Sequence, residues 1–218
     1  MVAQYFRDKT FGVLMGSTHP AYSIATFDTE EKDFRETHWD IKKDDVVFDI
    51  GASYGAYTLA ACSMEAIVYT FEPEKSVYGD LVANINLNNW SDRCFPQNAG
   101  LWSSDTTVNM KDYAPHWPPQ TITTDYNVKT IDQVVLENNI QKIDWIKIDV
   151  EGAEEHVVQG GLASIAKFKP NMIIECHTFL DAELCNKIKA LLEPLNLYTF
   201  EEIDRDPCVM LLVKPKDK

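Results

Sequence analysis

Five short, nearly continuous apolar runs recur along the chain: Val46–Ile50, Ala66–Phe71, Cys94–Asn98, Ile143–Asp149 and Asn171–Cys176. A strand that is apolar at successive positions, not at every second one, has both faces buried, as in a parallel sheet covered by helices. Between the runs, Ala56–Met64, Ser76–Asn89, Glu154–Phe168 and Asp181–Leu192 are spaced as amphipathic helices. Strand and helix in alternation define an α/β domain built from βαβ units, with helices on both faces of the sheet. The end of the chain departs from this rhythm. Leu197–Glu202, a turn at Asp204–Pro207 and Cys208–Lys214 predict a hairpin, so the sheet is expected to finish antiparallel.

At 218 residues, one domain spanning 1–218 is the economical expectation, with 1–45 as an N-terminal cap or lid and 46–218 as the catalytic core. Two segments stand outside the alternation. The first, 1–45, carries a predicted helix at Thr29–His38; the second, 101–130, carries strand-like Thr106–Lys111 and Gln120–Thr124 around the rigid stretch Tyr113–Pro119. Ligands of open α/β sheets bind beyond the carboxyl ends of the strands, so segments placed there are expected to meet a substrate. Tyr5, Tyr22, His38, Trp39, Tyr113, His116 and Trp117 would give them aromatic surface for a sugar ring or a flat polyketide.

Charge and composition narrow the partners. Lys plus Arg number 20 against 34 Asp plus Glu, a net charge of -14, and no basic block exists to hold a phosphate backbone or an anionic membrane. No stretch approaches the ~18 apolar residues of a membrane span. The N-terminus lacks the basic start and long apolar core of a signal peptide. Five widely spaced cysteines without a C-x-x-C argue against a disulfide framework or a Cys-rich zinc site. A cytoplasmic protein without nucleic-acid or membrane partners is expected.

The sharpest chemical signal is residues 46–60, VVFDIGASYGAYTLA. A buried strand ends at Asp49, turns through Gly51 and Gly55, and opens a helix whose free N–H groups can meet a carboxylate or phosphate. About 20 residues on, Glu72 closes the second strand, where an acid can bond both hydroxyls of a ribose. Pyrophosphate binding requires G-x-G-x-x-G, and the turn here reads Gly51-Ala52-Ser53-Tyr54-Gly55. Without the middle glycine, and with an acid before it, the turn suits a phosphate-free ligand with a cationic end. S-adenosylmethionine fits that description better than NAD.

Three blocks together, DIGASYGAYT, FEPEKSVYGDLVANINLNN and TIDQVVLENNIQKIDWIKIDVEGAEEHVVQGG, resemble the FkbM family of S-adenosylmethionine-dependent methyltransferases. The likeness runs from Val46 to His177, and Ile143–Glu154 is its most specific part. It implies a class I methyltransferase (Rossmann-like) fold, with a seven-stranded, mostly parallel sheet and an antiparallel last strand. One departure is Ser53, which stands where the family usually has Asn. The resemblance implies that Asp49, Gly51, Ser53 and Gly55 line the methionine end of the cofactor, that Glu72 holds the ribose, and that Asn98 contacts adenine. Asp149, at the end of the fourth strand, then lies at the methyl-transfer centre, where it would be both a cofactor contact and a catalytic residue.

On the fifth strand, Glu175 and His177 share a side by the period of two. A carboxylate that fixes an imidazole makes an acid–base pair. His177, assisted by Glu175 or Asp149, is the expected base for methylation of a small-molecule or glycoside hydroxyl. Glu154 and His156 are assigned to packing or to the solvent face of their helix, and Glu151 to either a site or a helix start. A divalent cation on the same acids and His177 is possible, but nothing in the spacing demands a metal. Two other readings stay open: a nicotinamide-dependent oxidoreductase, and a non-catalytic module that keeps the fold. The acceptor and the oligomeric state are not written in the sequence.

Overall fold

The computed structural model of the chain describes residues 4–7, 14–17, 37–109 and 125–216, the first two stretches by their backbone only. The chain divides into two compact units, Met1–Asn98 and Ala99–Lys218.

The first unit opens with a short antiparallel pair, β1 (Gln4–Arg7) and β2 (Leu14–Ser17), which the periodicity did not announce. The expected alternation follows: β3 (Val46–Ile50), α1 (Ala56–Ser63), β4 (Ile67–Phe71), α2 (Lys75–Leu87) and β5 (Cys94–Gln97). β4 pairs in parallel with β3, Ile50 opposite Phe71, and with β5, Phe71 opposite Gln97. All five residues of β3 are buried, as its unbroken apolar run requires. Phe48 packs its ring against those of Tyr69 and Phe71, at 5.5 and 5.7 Å between centroids. α1 is buried at every residue from Tyr57 to Cys62, so it is a core helix and not an amphipathic one.

The second unit begins with a three-stranded sheet of β6 (Gly100–Leu101), β7 (Thr106–Asn109) and β8 (Asp125–Lys129), β8 lying between the other two. Next come α3 (Ile131–Glu137), β9 (Trp145–Ile148), α4 (Glu154–Gln159), α5 (Leu162–Phe168), β10 (Asn171–Cys176), α6 (Leu184–Leu192), β11 (Tyr198–Arg205) and β12 (Cys208–Pro215). β9 and β10 are parallel; β12 runs antiparallel to β10 on one side and to β11 on the other. The main sheet has seven strands in the order β11-β12-β10-β9-β3-β4-β5.

Three sequence expectations change. Glu154–Phe168 is two helices, broken at Gly160-Gly161. A Cβ at Gly160 would stand 1.9 Å from the Trp102 carbonyl oxygen, so the backbone there demands glycine, and one at Gly161 would stand 2.7 Å from Ile131 Cδ1, which would have to shift. The second helix starts afresh because the Asp132 carboxylate accepts from Ser164 N at 2.8 Å and Ala163 N at 3.3 Å, capping it from α3. α6 starts at Leu184 and not at Asp181, whose carboxylate instead holds a turn by accepting from Glu183 N. α3 and β8, inside or beside the irregular segment, went unread. The predicted helix at Thr29–His38 lies almost wholly outside the described residues, as does Gln120–Thr124. Among the described residues no helix is long and apolar enough to cross a membrane, and all five cysteines are buried free thiols.

Candidate active site

In the first unit the glycine turn is built as a cradle. Gly51 has φ 75°, Ser53 φ 50° and Gly55 φ 96°, and Gly55 caps α1 from the left-handed region. A side chain at Gly55 would bring Cβ within 2.7 Å of Leu81 Cδ1, which pins the turn against α2. From α2 the buried Asn84 amide donates to the Tyr54 carbonyl at 2.9 Å. Asp49 is fully buried behind the turn, its Oδ2 2.6 Å from Thr58 Oγ1, which is 2.8 Å from Thr70 Oγ1. One hydroxyl has one proton, so Thr58 donates to the carboxylate and accepts from Thr70.

Glu72, buried at the end of β4, accepts from Ser53 N at 3.0 Å and from Glu74 N at 2.8 Å. Its carboxylate thereby ties the glycine turn to the second strand's end. The Asn98 amide donates to the carbonyls of Glu72 and Pro73, at 2.9 and 3.0 Å, so it fixes the same loop from β5. Asp49, Gly51, Ser53, Gly55, Glu72 and Asn98 are thus brought together around one turn. Thr58, Thr70 and Asn84 were missed. Hydroxyls inside an apolar helix and an apolar strand were the available signal for the first two.

In the second unit β9 ends at Ile148, and Asp149, Val150, Glu151, Gly152 and Ala153 lead into α4. Trp102, just after β6, and Val108 and Val128 from the small sheet form a cluster with Ala153, and Val150 packs against it, so the turn has an apolar floor. Glu151 and Gly152 are both left-handed, with φ 57° and 104°. The conformation is held by Glu154, fully buried, whose Oε1 accepts from Val150 N at 3.3 Å and Gly152 N at 3.1 Å. That same oxygen lies 2.7 Å from His177 Nδ1.

His177 follows β10, and its ring edge meets Phe179 at 5.8 Å between centroids. Its Nε2 stands 3.3 Å from Glu151 Oε2 and 3.8 Å from Asp149 Oδ1, while the other Asp149 oxygen is 3.3 Å from the buried Lys147 Nζ. Burial works against the imidazolium, but the bond to Glu154 and the charges of Glu154, Asp149 and Glu151 outweigh it, raising the pKa to about 9. A pKa raised this far favours the protonated ring at neutral pH, in which His177 donates from both nitrogens.

Two corrections concern its surroundings. The carboxylate bonded to His177 is Glu154 from α4, not its strand neighbour Glu175. Glu175 does lie close, with His177 and Cys208, and burial and Glu175 push the Cys208 thiol up to about 12. Glu154 belongs to this cluster and not to a solvent face, whereas His156 packs as expected, stacked on Trp102 at 3.9 Å. Of the aromatic residues expected at a substrate, Trp39 is core, edge-on to Tyr57 at 5.2 Å, while Tyr22, Tyr113, His116 and Trp117 lie outside the described residues.

A mostly parallel seven-stranded sheet with an antiparallel strand next to its edge, and acids after its parallel strands, defines the class I methyltransferase architecture. Solved structures share it. The methyltransferase FkbM of Methylobacillus flagellatus KT is 18% identical with a TM-score of 0.61, over 82% of this chain and 46% of that one. TYW2 of P. horikoshii, solved with MeSAdo, is 18% identical with a TM-score of 0.54, over 97% of this chain and 69% of that one. Residues 49–204 match the methyltransferase FkbM domain, and the chain belongs to that family. Among curated proteins, the hexuronic acid methyltransferase AglP of Haloferax volcanii is 29% identical over 156 residues, 67% of this chain. The chain spans 62% of the length of that relative.

Proposed function

We propose that the protein transfers a methyl group from S-adenosylmethionine to a hydroxyl of a sugar, with a uronic acid or its glycoside as the acceptor class. The observation that carries this reading is the turn of Gly51–Gly55, closed over a buried Asp49 and gripped by Glu72, in a chain of the FkbM family. The turn offers backbone N–H groups and carboxylates in a shape for a ligand whose charged end is zwitterionic and sulfonium-bearing. It lacks the middle glycine that a pyrophosphate would need. In this assignment Asp49, Gly51, Ser53 and Gly55 serve the methionine end and Glu72 the ribose. Asn98, its amide spent on backbone carbonyls, offers Oδ1 to adenine. The acceptor class follows AglP, a sugar-acid methyltransferase by name.

The sulfonium methyl is already activated, so the protein's contribution is alignment of the acceptor oxygen with the C–S bond, largely a proximity effect. S-adenosylmethionine supplies the methyl group. The chain supplies a polar cluster, Asp149, Glu151 and His177, to orient the acceptor, and a carboxylate of that cluster takes the hydroxyl proton. Glu175 flanks it. His177, its pKa raised by the surrounding carboxylates, orients the acceptor as a donor in this reading.

Calorimetry with S-adenosylhomocysteine and with NAD separates this reading from an oxidoreductase; only the first is expected to bind. Incubation with S-adenosylmethionine and glucuronide or galacturonide acceptors should then yield a singly methylated sugar by mass spectrometry. Binding of NAD in place of S-adenosylhomocysteine would overturn the cofactor assignment. Cofactor binding with no turnover across sugar acids and neutral glycosides would favour the non-catalytic module.

A further inference from the structure

We infer that Asp149, Glu151 and His177 form a binding site for one divalent transition-metal cation of the Mn2+ type, with Glu154 as the residue that orients its histidine. One oxygen of each carboxylate and one ring nitrogen of His177 lie within 4.8 Å of one another. The His177 side chain is 5% exposed, yet its Nε2 makes no hydrogen bond with a described residue; it points into the gap between Glu151 Oε2 at 3.3 Å and Asp149 Oδ1 at 3.8 Å. Charge-assisted N–H···O bonds are shorter, ~2.7–2.9 Å, as the opposite nitrogen shows with Glu154 at 2.7 Å. Two ligands each ~2.1 Å from a common ion stand ~3.0–3.4 Å apart at octahedral or tetrahedral angles. The Glu151 separation already falls in that range and the Asp149 separation lies about 0.4 Å beyond it.

The surroundings match what a metal-bound histidine requires. Its far nitrogen donates to a buried carboxylate, which sets the tautomer that leaves Nε2 as the ligand atom. Glu154 is itself fixed by two backbone N–H groups, and it also sets the left-handed turn that carries Glu151. Charge points the same way. Asp149, Glu151, Glu154 and Glu175 gather carboxylates around His177, and Lys147 stands 3.3 Å from Asp149 Oδ2. A dication there would offset the mutual repulsion of these carboxylates. Mixed imidazole and carboxylate donors select manganese, iron or zinc over calcium, whose sites are all oxygen. The alternative trio, Glu175, His177 and Cys208, shares the histidine, but its thiol is buried. Asp149 and Glu151 are 25% and 30% exposed, so an ion between them keeps open positions for water or an acceptor oxygen. The role as an acceptor holder rests on the function proposed above; the binding itself does not.

The full chain, stripped with a chelator and dialysed, would be titrated with MnCl2 and followed by the electron paramagnetic resonance of free Mn2+. One saturable ion per chain is expected, with pulsed spectra showing coupling to a histidine nitrogen. Glu151→Gln should weaken binding at least tenfold, and Glu154→Gln, which touches no metal, by ~10–100-fold, as for other supporting ligands. Glu201→Gln, on the exposed face of β11, should bind as the wild type does. The nitrogen coupling is read on unaltered protein, so it does not depend on a variant folding. No saturable binding, saturable binding without nitrogen coupling, or wild-type affinity in a folded Glu151→Gln would each overturn the site. Calorimetry of the same samples with S-adenosylhomocysteine tells the two readings apart. Cofactor binding without Mn2+ removes the metal site and leaves the methyltransferase, and Mn2+ binding without cofactor does the reverse.

Discussion

Replacing Gly55 by Ala, beside the same replacement at Gly79, tests the architecture of the glycine turn. Gly55 caps α1 with φ 96°, and a Cβ there meets Leu81 Cδ1 at 2.7 Å; Gly79 lies inside α2 with nothing within 4 Å of its would-be Cβ. A non-glycine residue in left-handed backbone costs ~1–2 kcal/mol. A methyl forced against a buried leucine, closer than the ~3.5–4.0 Å optimum, adds ~1–3 kcal/mol. The loss at Gly55 is therefore ~2–5 kcal/mol, or ~4–20 °C in Tm for a chain of this size. At Gly79 the sign reverses, with a gain of ~0.8–1 kcal/mol from helix propensity. Urea unfolding followed by circular dichroism measures both. The double variant Gly55→Ala/Leu81→Ala isolates the clash: it should cost less than the sum of its singles by ~1–3 kcal/mol, because the methyl then occupies space the leucine left. Additive costs, or a Gly55→Ala protein within ~1 kcal/mol of the wild type, would refute the reasoning, since ~2–5 kcal/mol is required.

Thr58→Val keeps the shape but removes the hydroxyl 2.6 Å from buried Asp49, and should cost ~1–3 kcal/mol in urea and weaken S-adenosylhomocysteine binding. Glu72→Gln keeps one acceptor oxygen where two backbone N–H groups now bond, and removes the charge that the proposed function sets against a ribose. Its S-adenosylhomocysteine affinity should fall ~10–100-fold by calorimetry, and an unchanged affinity would take Glu72 out of the ribose role. Asp132→Ala uncaps α5 and should lower stability by ~0.5–2 kcal/mol in thermal unfolding while leaving cofactor affinity alone.

The strands were legible because burial on two faces leaves a mark that survives in one dimension. Asn171–Cys176 was read to the residue, and Val46–Ile50 likewise. Gly51, Gly55 and Glu72 were legible for a related reason: a turn that needs left-handed backbone, and an acid at a strand's end, are local facts. The break at Gly160-Gly161 was not, because what forbids a side chain there is the Trp102 carbonyl, distant in sequence. α3 and β8 were hidden by their irregular neighbourhood.

The second unit divides along the same line. Asp149, Glu175 and His177 were found at strand ends, where position in the alternation is enough. Which carboxylate holds His177 was a matter of three dimensions. Period two made Glu175 the neighbour along the strand, but the hydrogen bond goes to Glu154, 23 residues earlier on another element. A helical glutamate looks solvated when only its own helix is considered. The turn before α4 folds it inward and gives it two backbone donors and an imidazole, enough to hold a carboxylate with no exposed surface. The sequence alone determined the sheet, the glycine turn and the family, because each is a repeating or contiguous pattern of residue types. Tertiary structure decided which carboxylates surround His177 and how far they stand from its Nε2, because both depend on distances between side chains that only packing brings together.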